Sequence, residues 1–299
     1  RAPDAGANVK RAGKRIRRAL PALLLALVLT VGISAAVCRV SLKTTEYTAA
    51  VRGLTAPVRA VVLSDLHSRE YGKDNAALLA RVAQQQPDAI FCVGDFIDSD
   101  AAPEQLQRLY QLLRRLGEIA PVFFSPGNHE ITYVGSDGAE LLDAVAATGA
   151  TVLYDRWVQT TLGGAAVRIG GSCGHFRDIN RSAKLDYAME ETIGAADVPG
   201  IVLLHMPESL LLDDARERWT GQVFLSGHTH GGVIRIADRR SRCADTGTFP
   251  EVRSGEVYGR RPHDAHHHVR ARGLCVRAAR MQSPGGLRGG SDTRGGKLI

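Results

Sequence analysis

Five short apolar segments, each followed at once by residues that can bind a metal ion, recur in order along the middle of the chain. They are LSDLH over 63–67, CVGD over 92–95, FSPGNHE over 124–130, LLH over 203–205 and FLSGHTHGG over 224–232. Apolar runs of this length are typical of buried strands, and the segments between them have helical patterns. Strands that alternate with helices predict an α/β fold, with helices on the faces of a sheet.

The polar residues that follow these strands should meet at one place, because ligands of open α/β sheets bind beyond the carboxyl ends of the strands. Asp65 and His67 are two residues apart, as are His228 and His230. Residues i and i+2 of an extended segment point to the same side, so each pair can face one metal cluster. We therefore expect a single site that contains these candidate ligands: Asp65, His67, Asp95, Asn128, His205, His228 and His230.

The candidate ligands are carboxylate, amide and imidazole groups, without a thiolate. This set suits Mn, Fe or Zn and argues against a structural zinc site. One carboxylate, such as that of Asp95, could give one oxygen to each of two ions. Two divalent ions ~3.5–4 Å apart would clamp a phosphoryl group and activate a bridging water as hydroxide. The pattern thus favours a two-metal centre that hydrolyses phosphate esters.

Each motif has a simpler explanation when it is considered alone. Asp after a strand is ordinary turn chemistry, GNH can be a plain turn, and His205 could be a satisfied core histidine. The paired His228 and His230 between glycines have no obvious packing role. Because all five motifs occur together, each at a strand end, we favour the metal site.

Two further groups of residues are weaker candidates for a site. The HDAHHH run over 263–268 resembles a metal tag, but in a low-complexity segment adventitious binding or no role is the better interpretation. His175 and Arg177 follow a Gly-rich segment and could touch substrate, although an ordinary loop is at least as good an explanation.

The ordered set of motifs resembles the calcineurin-like metallophosphoesterases, over roughly residues 58–236. The set consists of D-x-H (65–67), G-D (94–95), G-N-H-E (127–130), His205 and G-H-T-H-G-G (227–232). The resemblance implies a two-sheet sandwich flanked by helices.

The resemblance also implies a role for each candidate residue. Asp65, His67 and His230 would hold one ion. Asn128, His205 and His228 would hold the second. Asp95 would bridge the two ions. His129 would be the catalytic residue that donates a proton or clamps phosphate, with Glu130 as a carboxylate that orients it.

The N-terminal residues predict a membrane anchor. Residues 10–18 (KRAGKRIRR) are basic, whereas residues 19–38 contain no charged side chain. A helix of twenty residues rises about 30 Å, enough to cross the bilayer core. The basic flank would keep the N-terminus in the cytoplasm. A cleaved signal peptide and a twin-arginine signal are the alternatives.

Together with this anchor, the motifs resemble the membrane-associated bacterial branch of the family. That resemblance implies a single-pass protein of the bacterial cell membrane, with its catalytic domain outside the cytoplasm. Lipid or cell-envelope phosphates would be the suspected substrates.

The distribution of charge argues against a nucleic-acid partner. Residues 1–18 carry +6 and residues 235–299 carry +8, which leaves −7 for residues 19–234 out of a net +7. A nucleic-acid binder usually places its basic residues on the folded domain. A nuclease is therefore a disfavoured alternative. The other alternative is a membrane-anchored metal-binding module with little catalysis.

These observations divide the chain into five parts. We expect a cytoplasmic 1–18, an anchor over 19–38, a linker or first strand over 39–57, a catalytic domain over 58–236 and an Arg- and Gly-rich tail over 237–299. The tail has no clear period and few apolar residues, which predicts that it lacks structure of its own. The family resemblance, in contrast, implies further strands after GHTHGG.

Overall fold

The computed structural model describes residues 19–33, 42–137, 140–174, 188–194, 197–211, 218–229, 235–236, 239–240, 257–259 and 275–282. The chain forms two compact units, Arg1–Ser41 and Leu42–Ile299. In the first unit one helix is described, α1 over 19–33, and its side chains are exposed. Among the described residues, no helix combines the length and apolar character that a membrane crossing needs. The predicted anchor continues over 34–38, outside the described residues, and it stays a prediction.

The second unit contains a six-stranded sheet. Its strands lie in the order β1 (Lys43–Ala50), β13 (Cys275–Gln282), β2 (Val58–Leu63), β3 (Ala89–Val93), β4 (Val122–Ser125) and β5 (Thr151–Val152). Strands β2 to β5 are parallel to one another. Strand β13 is antiparallel to β2 and parallel to β1.

A five-stranded sheet has the order β12 (Val257–Gly259), β9 (Val223–Leu225), β8 (Gly200–Leu204), β7 (Ala165–Ser172) and β6 (Arg156–Leu162). Strands β7, β8 and β9 are parallel, and β6 and β7 form a hairpin. The hairpin turns at Gly163 and Gly164, whose φ angles of 54° and 84° favour glycine. Strands β10 (Arg235–Ile236) and β11 (Arg239–Arg240) form a separate pair.

Alternate residues of the central strands face two different cores, as strand geometry requires. Phe91 and Val93 pack in a cluster that also contains Ile169 and Leu203 from the other sheet, so this core joins the two sheets. Ile90 and Cys92 belong to a cluster with helix residues, on the opposite face of β3. The α/β architecture with flanking helices is therefore confirmed, and the contacts form a sandwich of two sheets.

Helices cover the outer faces of the sheets. They are α2 (Ala76–Ala83), α3 (Pro103–Gly117), α4 (Asn128–Asp137), α5 (Glu140–Ala146) and α6 (Ala188–Thr192). Helix α3 buries Leu109, Leu112, Leu113 and Leu116, the spacing of one helical face. The apolar pattern of the sequence predicts a helix over Pro103–Gly117 and strands over Ala89–Val93 and Val122–Ser125, and these bounds are confirmed.

Ser136 as an N-cap and Gly149 as a C′ residue predict a helix from about Ser136 to Gly149, and these bounds are wrong. Helix α4 already begins at Asn128, and α5 ends at Ala146. The reason is local: Glu130 is the third residue of α4, and its Oε2 accepts the N–H of Gly127 at 2.8 Å. A glutamate at this position satisfies a donor that a helix N-terminus otherwise leaves unpaired.

The expectation of a tail without structure is wrong for the tail residues that the structure describes. Strand β12 pairs with β9, and β13 lies between β1 and β2. Sheet pairing uses backbone groups, which side-chain composition does not reveal. Strand β1 lies in the part predicted to be a linker or first strand, where it is a strand, so the folded unit extends beyond 58–236 on both sides.

Candidate metal centre

The carboxyl ends of β2, β3, β4, β8 and β9 carry the candidate ligands, and backbone contacts tie these ends together. The N–H of Asp65 donates to the carbonyl of Gly94 at 3.0 Å, and that of His67 donates to the carbonyl of Asp95 at 3.0 Å. The N–H of His228 donates to Asp65 Oδ1 at 2.8 Å, which joins the two sheets at the site. The predicted convergence of the strand ends is confirmed for these residues.

Four candidate ligands have a left-handed backbone, with φ of 58° at Asp65, 47° at His67, 56° at Asp95 and 66° at His228. Such a conformation is unfavourable for residues other than glycine and occurs mostly where the surrounding structure enforces it. A cluster of four at neighbouring strand ends indicates that the loops are shaped around a function.

Asp95 belongs to two groups of potential ligand atoms. One group contains His67, Asp95 and His129, and the other contains Asp95, His205 and His228, with the atoms of each group within 4.8 Å of one another. His205 Nε2 lies 3.0 Å from Asp95 Oδ2, and His67 Nε2 lies 3.9 Å from the same oxygen. One carboxylate is therefore placed between two sets of histidines.

Polar side-chain atoms are buried at this site, and one of them has no partner among the described residues. Asn128 Oδ1 has no hydrogen bond within the described part of the chain, and the fully buried His205 has its Nε2 against the Asp95 carboxylate. A buried polar atom left without a partner costs about 1–3 kcal/mol. A cation bound in this cluster would give the Asn128 oxygen a partner and would neutralise the Asp95 carboxylate, so the residues present fit a metal centre.

Two histidines are oriented by acceptors on the side away from the cluster. His205 Nδ1 lies 2.8 Å from the carbonyl oxygen of Val93, and His67 Nδ1 lies 2.8 Å from Asp98 Oδ1. A carbonyl or carboxylate oxygen only accepts, so each Nδ1 carries the proton. The lone pair of Nε2 is then directed towards Asp95, as a metal-binding histidine requires.

The electrostatics of the site favour positive charge next to Asp95. Burial raises the pKa of the Asp95 carboxyl, but His205 and the N–H of His129 outweigh it and hold that pKa well below its usual range. Burial lowers the pKa of His205, and the Asp95 carboxylate reverses this and raises it. The raised pKa means that the site favours a proton on His205, and a divalent ion can take the place of that proton.

The nearby cysteines do not add ligands. Burial raises the pKa of the Cys92 and Cys173 thiols far above the ordinary value. Neither of the two groups of potential ligand atoms contains a cysteine. The interpretation of a centre without thiolate therefore agrees with the described structure.

The expectation that Glu130 orients His129 is wrong. The Glu130 carboxylate is fully buried and accepts the backbone N–H groups of Asp95, Phe96, Ile97 and Gly127 at 2.7–3.2 Å. Burial and the Asp95 carboxylate raise its pKa. Glu130 thus holds the loop after β3 against the turn before α4.

His129 is oriented by other groups. Its Nδ1 accepts from the backbone N–H of Ser99 at 3.2 Å, and its own backbone N–H donates to Asp95 Oδ1 at 3.0 Å. An Nδ1 that accepts leaves the proton of a neutral ring on Nε2. The His129 ring lies 4.8 Å from the His67 ring, beside the candidate ligands.

Three of the sequence-based candidates cannot be placed. His230, His175 and Arg177 lie outside the described residues, as does the run over 263–268.

One residue that the sequence analysis missed lies at the site. Glu208 Oε1 is 3.2 Å from His228 Nε2, and both side chains are largely buried. Glu208 follows His205 by three residues. That spacing at the end of a strand was the available signal.

This fold and this cluster of potential ligand atoms resemble those of the metallophosphoesterases, a class of hydrolases that act on phosphoester bonds and use divalent metals. Residues 58–232 match the model of the calcineurin-like phosphoesterase family, and the chain belongs to that family.

The chain is 29% identical over 192 residues to phosphodiesterase YaeI of Escherichia coli, covering 60% of this chain and 63% of that protein. It is 29% identical over 188 residues to an uncharacterized metallophosphoesterase of Campylobacter jejuni, covering 62% of this chain and 47% of that protein. The chain thus spans about half to two-thirds of the length of these relatives. A dimetal phosphatase from Danio rerio shares 13% identity at a TM-score of 0.39, over 76% of this chain and 99% of that one. A likeness this weak supports no conclusion.

Proposed function

We propose that the protein hydrolyses a phosphate monoester or diester at a centre of two divalent ions. Asp65, His67 and His230 would bind one ion. Asn128, His205 and His228 would bind the other, and Asp95 would bind both. The observation that carries this proposal is the position of Asp95, whose carboxylate lies among two groups of histidines.

When bound, a pair of divalent ions supplies Lewis acidity and an activated water. The surrounding residues support that chemistry by orienting the ligands. Asp98 and the Val93 carbonyl hold the His67 and His205 rings, and Glu130 holds the loop that carries Asp95. Ligands held in this way lose little freedom when an ion binds.

His129 would donate a proton to the leaving oxygen. Its Nδ1 accepts from Ser99, which leaves the Nε2 proton available for donation. Histidine is the side chain that most often serves as a general acid or base in enzymes.

We also propose that residues 19–38 anchor the protein in the bacterial cell membrane, with the catalytic domain outside the cytoplasm. The basic flank before an uncharged stretch supports this orientation. An anchored hydrolase meets lipid and cell-envelope phosphates first. The substrate proposed is a phosphoester of that class, and the name of the Escherichia coli relative favours a diester.

The test is a metal titration of the purified full chain, with metal content and hydrolysis measured on the same samples. The assay panel would contain phosphomonoesters, phosphodiesters, phospholipids and a single-stranded nucleic acid. We expect about two ions per chain and activity that chelation abolishes. Asp95→Ala should lose both ions, because it removes the ligand that they share.

Other results would favour the alternatives. Two bound ions without hydrolysis of any substrate would indicate a metal-binding module. Preferred cleavage of the nucleic acid would indicate a nuclease. An Asp95→Ala protein that keeps two ions and full activity would refute the bridging role.

A further inference from the structure

We propose that Glu208 is a positioning residue for the metal ligand His228. Its carboxylate accepts the Nε2 proton of His228 and thereby directs Nδ1 towards the second ion. This inference rests on the two-ion centre proposed above.

Glu208 lies in a short 3₁₀ helix, Pro207–Leu211, that directly follows the end of β8. Its Oε1 is 3.2 Å from His228 Nε2, and the two side chains are only 13% and 4% exposed. Both carboxylate oxygens and Nε2 are buried and have no hydrogen bond within the described part of the chain. A buried carboxylate without partners is costly, so a contact with His228 is the arrangement that satisfies both.

The distance between Glu208 Oε1 and His228 Nε2 is short enough for a hydrogen bond to form between them when metal ions bind at the site. The limit for N–H···O bonds is about 3.2 Å, so a small rotation of either side chain is sufficient. The loop that carries His228 is itself fixed, because its N–H donates to Asp65 Oδ1 at 2.8 Å. The backbone of His228 is therefore held in place, and only a side-chain rotation is needed.

The other described histidine ligands follow the same rule. His67 has Asp98 on its Nδ1, and His205 has the Val93 carbonyl on its Nδ1, each at 2.8 Å. In each case an acceptor fixes the proton on one nitrogen and leaves the other nitrogen for the metal. Glu208 gives His228 the corresponding acceptor, with Nε2 as the protonated atom.

The experiment uses the full chain with histidine labelled by ¹⁵N and the site loaded with Zn²⁺. The variants are Glu208→Ala, which removes the acceptor, and Glu208→Gln, which keeps an oxygen acceptor but removes the charge. Glu191→Gln is the matched control, because Glu191 pairs with Arg218 away from the candidate ligands. Equilibrium dialysis gives the affinity for each ion, and NMR detects imidazole N–H protons that exchange slowly.

We expect Glu208→Ala to bind one ion about 10–100-fold more weakly and the other ion normally. One slowly exchanging imidazole N–H signal should disappear. Glu208→Gln should retain that signal at a changed shift and lose less affinity. Glu191→Gln should match the wild type in both measurements.

Unchanged affinity and unchanged imidazole signals in Glu208→Gln would overturn the inference, even if Glu208→Ala fails to fold. Loss of an ion with all imidazole N–H signals intact would also overturn it, since Glu208 would then be a direct ligand. A wild-type chain that binds no pair of ions would instead refute the proposed function on which the inference rests.

Discussion

At the scale of single residues, His129 separates proton transfer from metal binding. In the proposed mechanism it protonates the leaving oxygen, and an alkoxide needs that proton far more than a nitrophenolate does. His129→Ala should keep its metal content and lose ~10²–10⁴-fold in activity on alkyl phosphates, with a clearly smaller loss on aryl phosphates. Parallel kinetics on the two substrate types, with metal analysis, check this.

Equal losses on both kinds of substrate, with both ions retained, would assign His129 to stabilisation of charge on the phosphoryl group. Ser99→Ala is a useful companion variant. It removes only the hydroxyl that lies 3.3 Å from His129 Nδ1 and leaves the backbone donor in place. Its effect on either substrate should therefore be small.

Glu130 is a structural residue of the site. Its carboxylate accepts four backbone N–H groups in a fully buried position. Glu130→Ala should leave these donors unpaired and destabilise the fold by at least about 3 kcal/mol. Glu130→Gln keeps one oxygen acceptor and should cost less. The midpoint of urea unfolding measures both variants.

Glu191→Ala serves as the stability control, since Glu191 is partly exposed and pairs with Arg218. Exposed ion pairs contribute little to the free energy of unfolding. A Glu130→Ala protein as stable as this control would show that water or another group satisfies the four donors.

At the scale of elements, β13 is the strand on which the larger sheet depends. It pairs with β1 on one side and β2 on the other. Without it, β2 would present an unpaired edge, and exposed edges promote aggregation. Truncation after residue 236 should therefore give a protein that is less soluble and less stable than the full chain, as measured by sedimentation and thermal unfolding.

Limited proteolysis of the full chain tests whether β13 is part of the larger sheet without removing it. Residues 275–282 should be protected together with residues 58–63, their partner segment. Rapid removal of 275–282 from a chain that otherwise stays folded and active would contradict the placement of β13.

At the scale of the whole molecule, the proposed anchor over 19–38 would decide which substrates the site can reach. The basic residues before 19–38 would retain the N-terminus in the cytoplasm. A reporter that works only outside the cytoplasm, fused after residue 299, should therefore be active. A matched reporter that works only inside should be silent. The reverse pattern would refute the orientation and leave the metal centre unaffected.

Much of this protein was predictable from its sequence because the relevant signals are local. Strand runs, the bounds of α3 and the positions of the candidate ligands follow from apolar periodicity and from motifs at strand ends. The site residues Asp65, His67, Asp95, Asn128, His205 and His228 were all identified in this way, and the structure brings them to one end of the two sheets. Their roles as ligands of particular ions stay predictions.

The remaining features depend on which segments become neighbours in space. The four donors that Glu130 accepts come from two different loops, and Glu208 meets His228 from another strand end. Strand β13 enters the sheet through backbone hydrogen bonds, to which an Arg-rich composition gives no clue. Periodicity reports which face of an element is apolar. Only the tertiary structure decides which donors, acceptors and sheet edges face each other, because those contacts join residues far apart in the chain.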